Sequence, residues 1–295
     1  MNNLYQTQDK LSIENQQAHL FLRPKITNSH HLNVNKGIYT NHLDVLEDYS
    51  SHGLTDLNGA ALMDRVDTKY IIPLQQLPYI LAELKADYSA LEMQTNRVFN
   101  YHNTYFDTFD HHFYHAHHQG KLNRYKVRHR HYVDTKTGFL EVKFKNNKGR
   151  TIKSRIQSPK ADITSPQASE FLASKLQPTH RQLKPTQFGS YQRIALANEA
   201  SCERITFDLN LSFSAPIPSE QFSNNQQASI YLPHMFIAEL KQSRHDTNSP
   251  FARLMAHRGI RPSKFSKYCI GCSLVNANLK ANRFKPELMA IQQLH

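Results

Sequence analysis

Arg124-Tyr125-Lys126-Val127-Arg128-His129-Arg130-His131-Tyr132 and, a short turn later, Gly138-Phe139-Leu140-Glu141-Val142-Lys143-Phe144-Lys145 alternate between two kinds of side chain. Successive residues of a β-strand point to opposite faces of its sheet, so i, i+2 and i+4 share a side. Lys126, Arg128, Arg130 and Tyr132 therefore lie on one face of the first segment, and Glu141, Lys143 and Lys145 on one face of the second. Tyr125 and Val127, then Leu140, Val142 and Phe144, occupy the opposite faces. Two such strands make a sheet with an apolar side that packs on helices and a cationic side. Like charges opposed across strands repel, so the cationic side calls for bound anions. From Lys121 to Arg155 there are twelve basic residues and two acidic ones, Asp134 and Glu141. Solvated surface strands intersperse acids among their bases. This segment does not, which favours a ligand, with phosphate the natural counterion, over an ordinary exposed face.

The period-two pattern recurs at 66–72, 97–106, 151–156, 190–197, 203–208 and 235–241, with 267–272 a further candidate. Leu77, Ile80, Leu81, Leu84 and Tyr88 fall at helical intervals within 74–91. A second helix is expected at 165–176, and Thr55 or Asp56 can cap a short one running through Met63. About eight antiparallel strands interrupted by short helices suffice to close a barrel rather than leave open edges. The expected fold is α+β: an antiparallel eight-stranded β tunnel with flanking helices. Residues 1–50, rich in Asn, Gln and His, read as a weakly ordered extension, 51–276 as the tunnel domain, and 277–295 as a C-terminal tail.

Composition narrows the partner. Across 295 residues, 36 basic side chains face 24 acidic ones for a net charge of +12, with 18 His in reserve as pH falls. Three cysteines cannot build a disulfide framework, and the N-terminus lacks a signal-peptide pattern, so a reducing cytoplasm is expected. No apolar run approaches the ~20 residues of a membrane-spanning helix, so any membrane link runs through a partner protein. With nine Gly and neither GxxxxGK[ST] nor GxGxxG, backbone phosphate cradles are excluded. Side chains must grip the anion instead, Arg as a bidentate fork and Lys as a point charge.

The motifs Arg65-Val66-Asp67-Thr68-Lys69-Tyr70, Tyr105-Phe106-Asp107-Thr108, Lys121 to Arg130, Leu140-Glu141-Val142-Lys143-Phe144-Lys145 and Ser263-Lys264-Phe265-Ser266-Lys267-Tyr268, in that order, resemble the VTC domain. This is the polyphosphate polymerase module of the triphosphate tunnel superfamily. The resemblance runs from about Leu54 to Cys272. It implies a tunnel that binds ATP or another nucleoside triphosphate and transfers the γ-phosphate to a growing polyphosphate chain with Mn²⁺ or Mg²⁺. By position, Lys69, Arg128, Arg130, Lys143, Lys145, Lys153, Arg193 and Arg204 would line the tunnel, joined by Lys126 from the alternation of its strand. Lys264, Ser266 and Lys267 would close it, and Glu239 would hold the metal. Lys69, Arg128 and Arg130 are the expected catalytic groups. Hydrolytic relatives open with alternating Glu before a Lys, whereas Arg65, Asp67 and Lys69 keep a single acid, which favours transfer over activation of water.

Other readings stay open. A polyphosphate or nucleotide sensor would keep the bases without catalysis, and a metal-dependent triphosphatase would release orthophosphate. A nucleic-acid binder would present its basic face openly, whereas a closed tunnel excludes duplex. His111, His112, His115, His117 and His118 lack a Cys or Glu companion for a metal site, and Cys269 with Cys272 lack a second pair. The cysteines read as small buried side chains.

Overall fold

Alternation carries through into a single large sheet in the computed structural model, which describes residues 43–56, 66–216 and 229–294. Its strands are β1 (Ser51–His52), β2 (Val66–Pro73), β3 (Ser89–Leu91), β4 (Phe99–Asp107), β5 (Arg124–Tyr132), β6 (Thr137–Lys145), β7 (Thr151–Gln157), β8 (Lys184–Asn198), β9 (Glu203–Ser214), β10 (Ser229–Leu232) and β11 (Met235–Gln242). The helices are α1 (Leu77–Leu84), α2 (His112–His118), α3 (Pro166–Lys175), α4 (Pro250–His257), α5 (Lys267–Val275) and α6 (Lys285–Gln293).

The main path runs β2-β11-β9-β8-β4-β5-β6-β7, antiparallel at every step. Eight strands lie on it as expected, but β1, β3 and β10 join beside it, and no pairing among the described residues links β2 to β7. The expected closed barrel is thus an unclosed, tunnel-like sheet of eleven strands. At the edge of β2 away from β11, Ser263 N donates to Lys69 O at 2.7 Å, an isolated bridge from a non-strand segment.

One face of the sheet is apolar and buried. Leu77, Ile80, Leu81 and Leu84 of α1, with Phe251, Leu254 and Met255 of α4, pack on Tyr70, Ile72, Ile194, Ile205, Phe207 and Phe236. Under α3, Ala168, Phe171 and Leu172 cover Val127, Leu140 and Val142. These are the apolar positions of the two opening segments, so their charged positions are turned to the other side.

Two elements differ from expectation. The helix expected over 74–91 is a 3₁₀ turn followed by α1, because Ser89 and Ala90 are claimed by β8 through pairing with Ala197 and Leu196. The candidate strand at 267–272 is α5. Its N-cap, Ser266, accepts a bond from Cys269 N at 3.3 Å, the standard way of satisfying a free amide at a helix start. Gly271 lets α5 lie flat on the sheet, since a Cβ there would meet Phe213 Cδ1 at 2.7 Å and Gln187 Cδ at 2.8 Å. The expected helix through Met63 falls on 57–65, and most of the expected extension on 1–42, outside the described residues. Residues 43–50, also assigned to that extension, include a 3₁₀ turn whose Leu46 is buried, and Tyr49 OH donates to Leu81 O at 2.5 Å. Beyond residue 276, Leu288 and Ile291 of α6 are buried against the core.

Candidate functional site

On the polar face, three carboxylates each hold two bases. Glu141 of β6, fully buried, accepts from Arg128 Nη2 at 2.6 Å and Lys153 Nζ at 2.5 Å. Asp208 of β9, 1% exposed, accepts both Nε (2.6 Å) and Nη2 (2.9 Å) of Arg193, and also Lys267 Nζ. Glu239 of β11 accepts Lys69 Nζ at 2.9 Å on one oxygen and Lys241 Nζ at 2.7 Å on the other. Register produces these groupings: Arg128 lies opposite Glu141, Lys69 opposite Glu239, and Arg193 opposite Asp208. Burial alone would raise the pKa of each acid. The paired bases outweigh it and hold all three well below the usual carboxylate range.

Other bases on this face stand beside further bases. Lys126, Lys143 and Lys153 lie directly opposite one another across β5, β6 and β7. The positive field of Arg128, then burial, then Arg130 drive the Lys143 pKa well below that of a free lysine. Burial, with Lys69 and neighbouring arginines, lowers that of Lys126, whose Nζ donates to Ser266 Oγ at 3.0 Å. Arg130 donates to Asn103 Oδ1 at 3.1 Å and to Tyr191 OH at 2.6 Å. Burial would raise the Tyr191 phenol, but Arg130 and Arg193 overcome it and the pKa falls. Arg128 and Arg130 are 9% and 7% exposed, which sets them inside the fold.

Helix α5 brings Ser266 and Lys267 to this face, and a second motif fixes the helix. Asp107, at the end of β4, accepts Thr108 N and Phe113 N at 2.8 Å, Tyr114 N at 2.9 Å and the hydroxyl of Tyr268. That buried carboxylate ties the start of α2 to the first turn of α5, so Tyr105-Phe106-Asp107-Thr108 and Ser263 to Tyr268 act as one unit.

Of the expected site residues, Lys69, Lys126, Arg128, Arg130, Lys143, Lys153, Arg193, Ser266, Lys267 and Glu239 come together on this face. Lys145 and Arg204 share the face but lie at its margins, Lys145 exposed at the end of β6 opposite Arg124 and Thr151, and Arg204 at the start of β9 opposite Lys241. Lys264 is exposed, and its backbone N donates to Glu287 Oε1 at 3.2 Å. Lys241 and Asp208 were not anticipated. Alternation from Glu239 would have found Lys241, and a lone acid in the apolar run Phe207-Asp208-Leu209 was the signal for Asp208. Among the described residues no group of three or more His, Cys, Asp and Glu is placed to hold a metal. His117 instead bonds Tyr125 O at 3.1 Å, with burial pushing its pKa down to about 2. Cys269 and Cys272 are free buried thiols.

The VTC domain family model matches residues 64–276. No curated protein matches the sequence. Similar solved structures include HpAC1 from Hippeastrum, an adenylyl cyclase candidate described with a dominant triphosphatase activity, at 11% identity and TM-score 0.43 over 72% of this chain and 97% of that one. Another is the PH1819 protein from Pyrococcus horikoshii, at 11% identity and TM-score 0.40 over 70% and 96%. No helix among the described residues is long and apolar enough to cross a membrane.

Proposed function

The chain belongs to the VTC domain family, and on that premise we propose that it transfers the γ-phosphate of a nucleoside triphosphate to a polyphosphate chain held on the polar face. The observation that supports this most is the inward convergence of Lys69, Lys126, Arg128, Arg130, Lys143, Lys153, Arg193 and Lys267 from five strands and one helix, which outnumber the carboxylates described on that face, Asp67, Glu141, Asp208 and Glu239. A duplex-binding surface would carry its bases outward, whereas Arg128 and Arg130 are buried.

Phosphoryl transfer asks the protein mainly to align the acceptor and neutralise charge on the equatorial oxygens. Arg128, Arg130 and Lys69 take that role. Each already has a partner inside the fold that fixes its position: Glu141, Asn103 with Tyr191, and Glu239 respectively. At ~4 Å and an effective dielectric near 20 each base–phosphate pair is worth about 4 kcal/mol before desolvation. The bases of the lysine row, which repel one another, gain most from an anion.

A Mg²⁺ or Mn²⁺ ion fits Glu239 as its protein ligand, because such ions take one or two carboxylates and complete their shell with phosphate oxygens and water. Both Glu239 oxygens accept a lysine, so Lys69 and Lys241 stand beside the carboxylate that would hold the ion. When bound, such an ion would supply positive charge against the phosphate oxygens of the substrate.

Incubation of the purified protein with ATP and Mn²⁺ or Mg²⁺, with products resolved by chain length, tests the reading. Long chains are expected, and they should be lost in Arg130→Ala. Orthophosphate alone would identify a triphosphatase, and unchanged ATP with tight polyphosphate binding a sensor.

A further inference from the structure

An aromatic row crosses the polar face beside the phosphate grips. Tyr191 and Tyr101 stack at 5.2 Å and 5°, Tyr101 meets Tyr132 at 5.1 Å, and Tyr132 meets Phe139 edge-on at 5.9 Å. The inner pair is buried, with the guanidiniums of Arg130 and Arg193 over the rings. The outer pair differs. Tyr132 and Phe139 are half-exposed; Tyr132 packs at the margin of an apolar cluster, Phe139 belongs to none of the three among the described residues, and the Arg155 guanidinium lies 4.5 Å from the Phe139 ring centroid.

Placement gives the outer pair a meaning. Phe139 lies directly opposite Arg130, and Tyr132 is two residues further along β5, about 7 Å at the rise of a strand. That is the reach of one ribose beyond a phosphate held at Arg130. The opposite end of the same face, at Arg124, Lys126, Lys143 and Lys145, carries no aromatic on β5, β6 or β7 and only bases for a chain of phosphates. A ring pair flanked by an arginine plane is the usual platform for a nucleobase, since every base has a π-face and stacking needs no hydrogen-bond code.

We propose that Tyr132, Phe139 and Arg155 form a stacking site for the base of the nucleotide donor. The nucleoside then lies at the β5–β6 hairpin end and the polyphosphate extends toward the lysine end. The site accepts purines or pyrimidines with little discrimination. This inference rests on the phosphate-binding reading above and is separable from it.

The test measures the affinities of ATP and of inorganic tripolyphosphate by calorimetry for the wild type, Phe139→Leu and Tyr132→Leu. Both substitutions remove the ring but leave an apolar side chain, and two positions guard against one misfolding. ATP affinity is expected to fall on the order of tenfold in each variant, with tripolyphosphate affinity unchanged within about twofold. Equal losses for both ligands, or unchanged ATP binding in both variants, overturn the stacking site while leaving the phosphate grips standing. A wild type that binds neither ligand overturns both readings.

Discussion

A fully buried glutamate between an arginine and a lysine is costly to assemble and costlier to break, because removing one member leaves uncompensated charge out of water. Glu141 is such a residue, bonded to Arg128 and Lys153. In Glu141→Gln the two bases lose their carboxylate, and the unliganded protein should lose about 3 kcal/mol. Phosphate can then supply the missing negative charge, so saturating tripolyphosphate should raise the melting temperature by more than it does in the wild type. Melting curves with and without ligand check this, and a smaller ligand-induced gain than in the wild type would contradict it. The bases at this scale were legible in the sequence because strand period fixes the face of Lys126, Arg128, Arg130 and Lys143 without any knowledge of neighbours. The clamps were not. Pairing Arg193 with Asp208 requires the register of β8 against β9, which includes a shift between Ser190 and Gln192 that local sequence does not announce.

Helix α5 shows the same limit one scale up. Lys267-Tyr268-Cys269-Ile270-Gly271-Cys272 alternates well enough to pass for a strand, yet the Ser266 cap accepts from Cys269 N at its helical start and it is held by Asp107 through Tyr268. Tertiary ties overrode the local pattern. By contrast β4, β5, β6 and β7 fall within two residues of where alternation puts them; β4, β5 and β6 have an apolar face to bury, and β7, an edge strand with Ile152 exposed, follows by pairing with β6. Because α5 delivers both Ser266 and Lys267, its depth on the sheet tunes the site. Gly271→Ala places a methyl within 3 Å of the Phe213 ring and the Gln187 side chain. Overpacking of this kind costs about 1–3 kcal/mol. The variant should melt lower and bind tripolyphosphate several-fold more weakly, as calorimetry would show. Lower stability with unaltered affinity would mean that α5 does not set the grip.

Over the whole molecule, the excess of positive charge in the sequence becomes a field concentrated on one inward face, and that field acts on its own members. Closure of the sheet was not legible, because alternation within a strand fixes its faces and not which segment pairs with its edge. The crowding of bases was. Lys126, Lys143 and Lys153 face each other across three strands. The side chains around Lys143 are Arg128, Arg130, Glu141 and, at longer range, Glu239, and their balance lowers its pKa well below the usual lysine value. For Lys126 the surroundings are Lys69, Arg124, Arg128 and the Cys269 thiol, and its pKa is also lowered. Unfolded lysines bind their protons more tightly, so this pair makes stability rise with pH from the folded values up to the free-lysine range. Bound phosphate reverses the balance: it favours the charged lysines, and the complex holds more protons than the free protein. Affinity for polyphosphate must therefore fall as pH rises through the lowered values, and binding must take up protons. Titrating long-chain polyphosphate, whose internal phosphates stay ionised, in two buffers of different ionisation enthalpy at a common alkaline pH should give different observed heats. Lys143→Arg, which keeps the charge but does not titrate, should shrink that difference while retaining binding. Identical heats in both buffers for the wild type would show that the lysine row is fully charged before any ligand arrives.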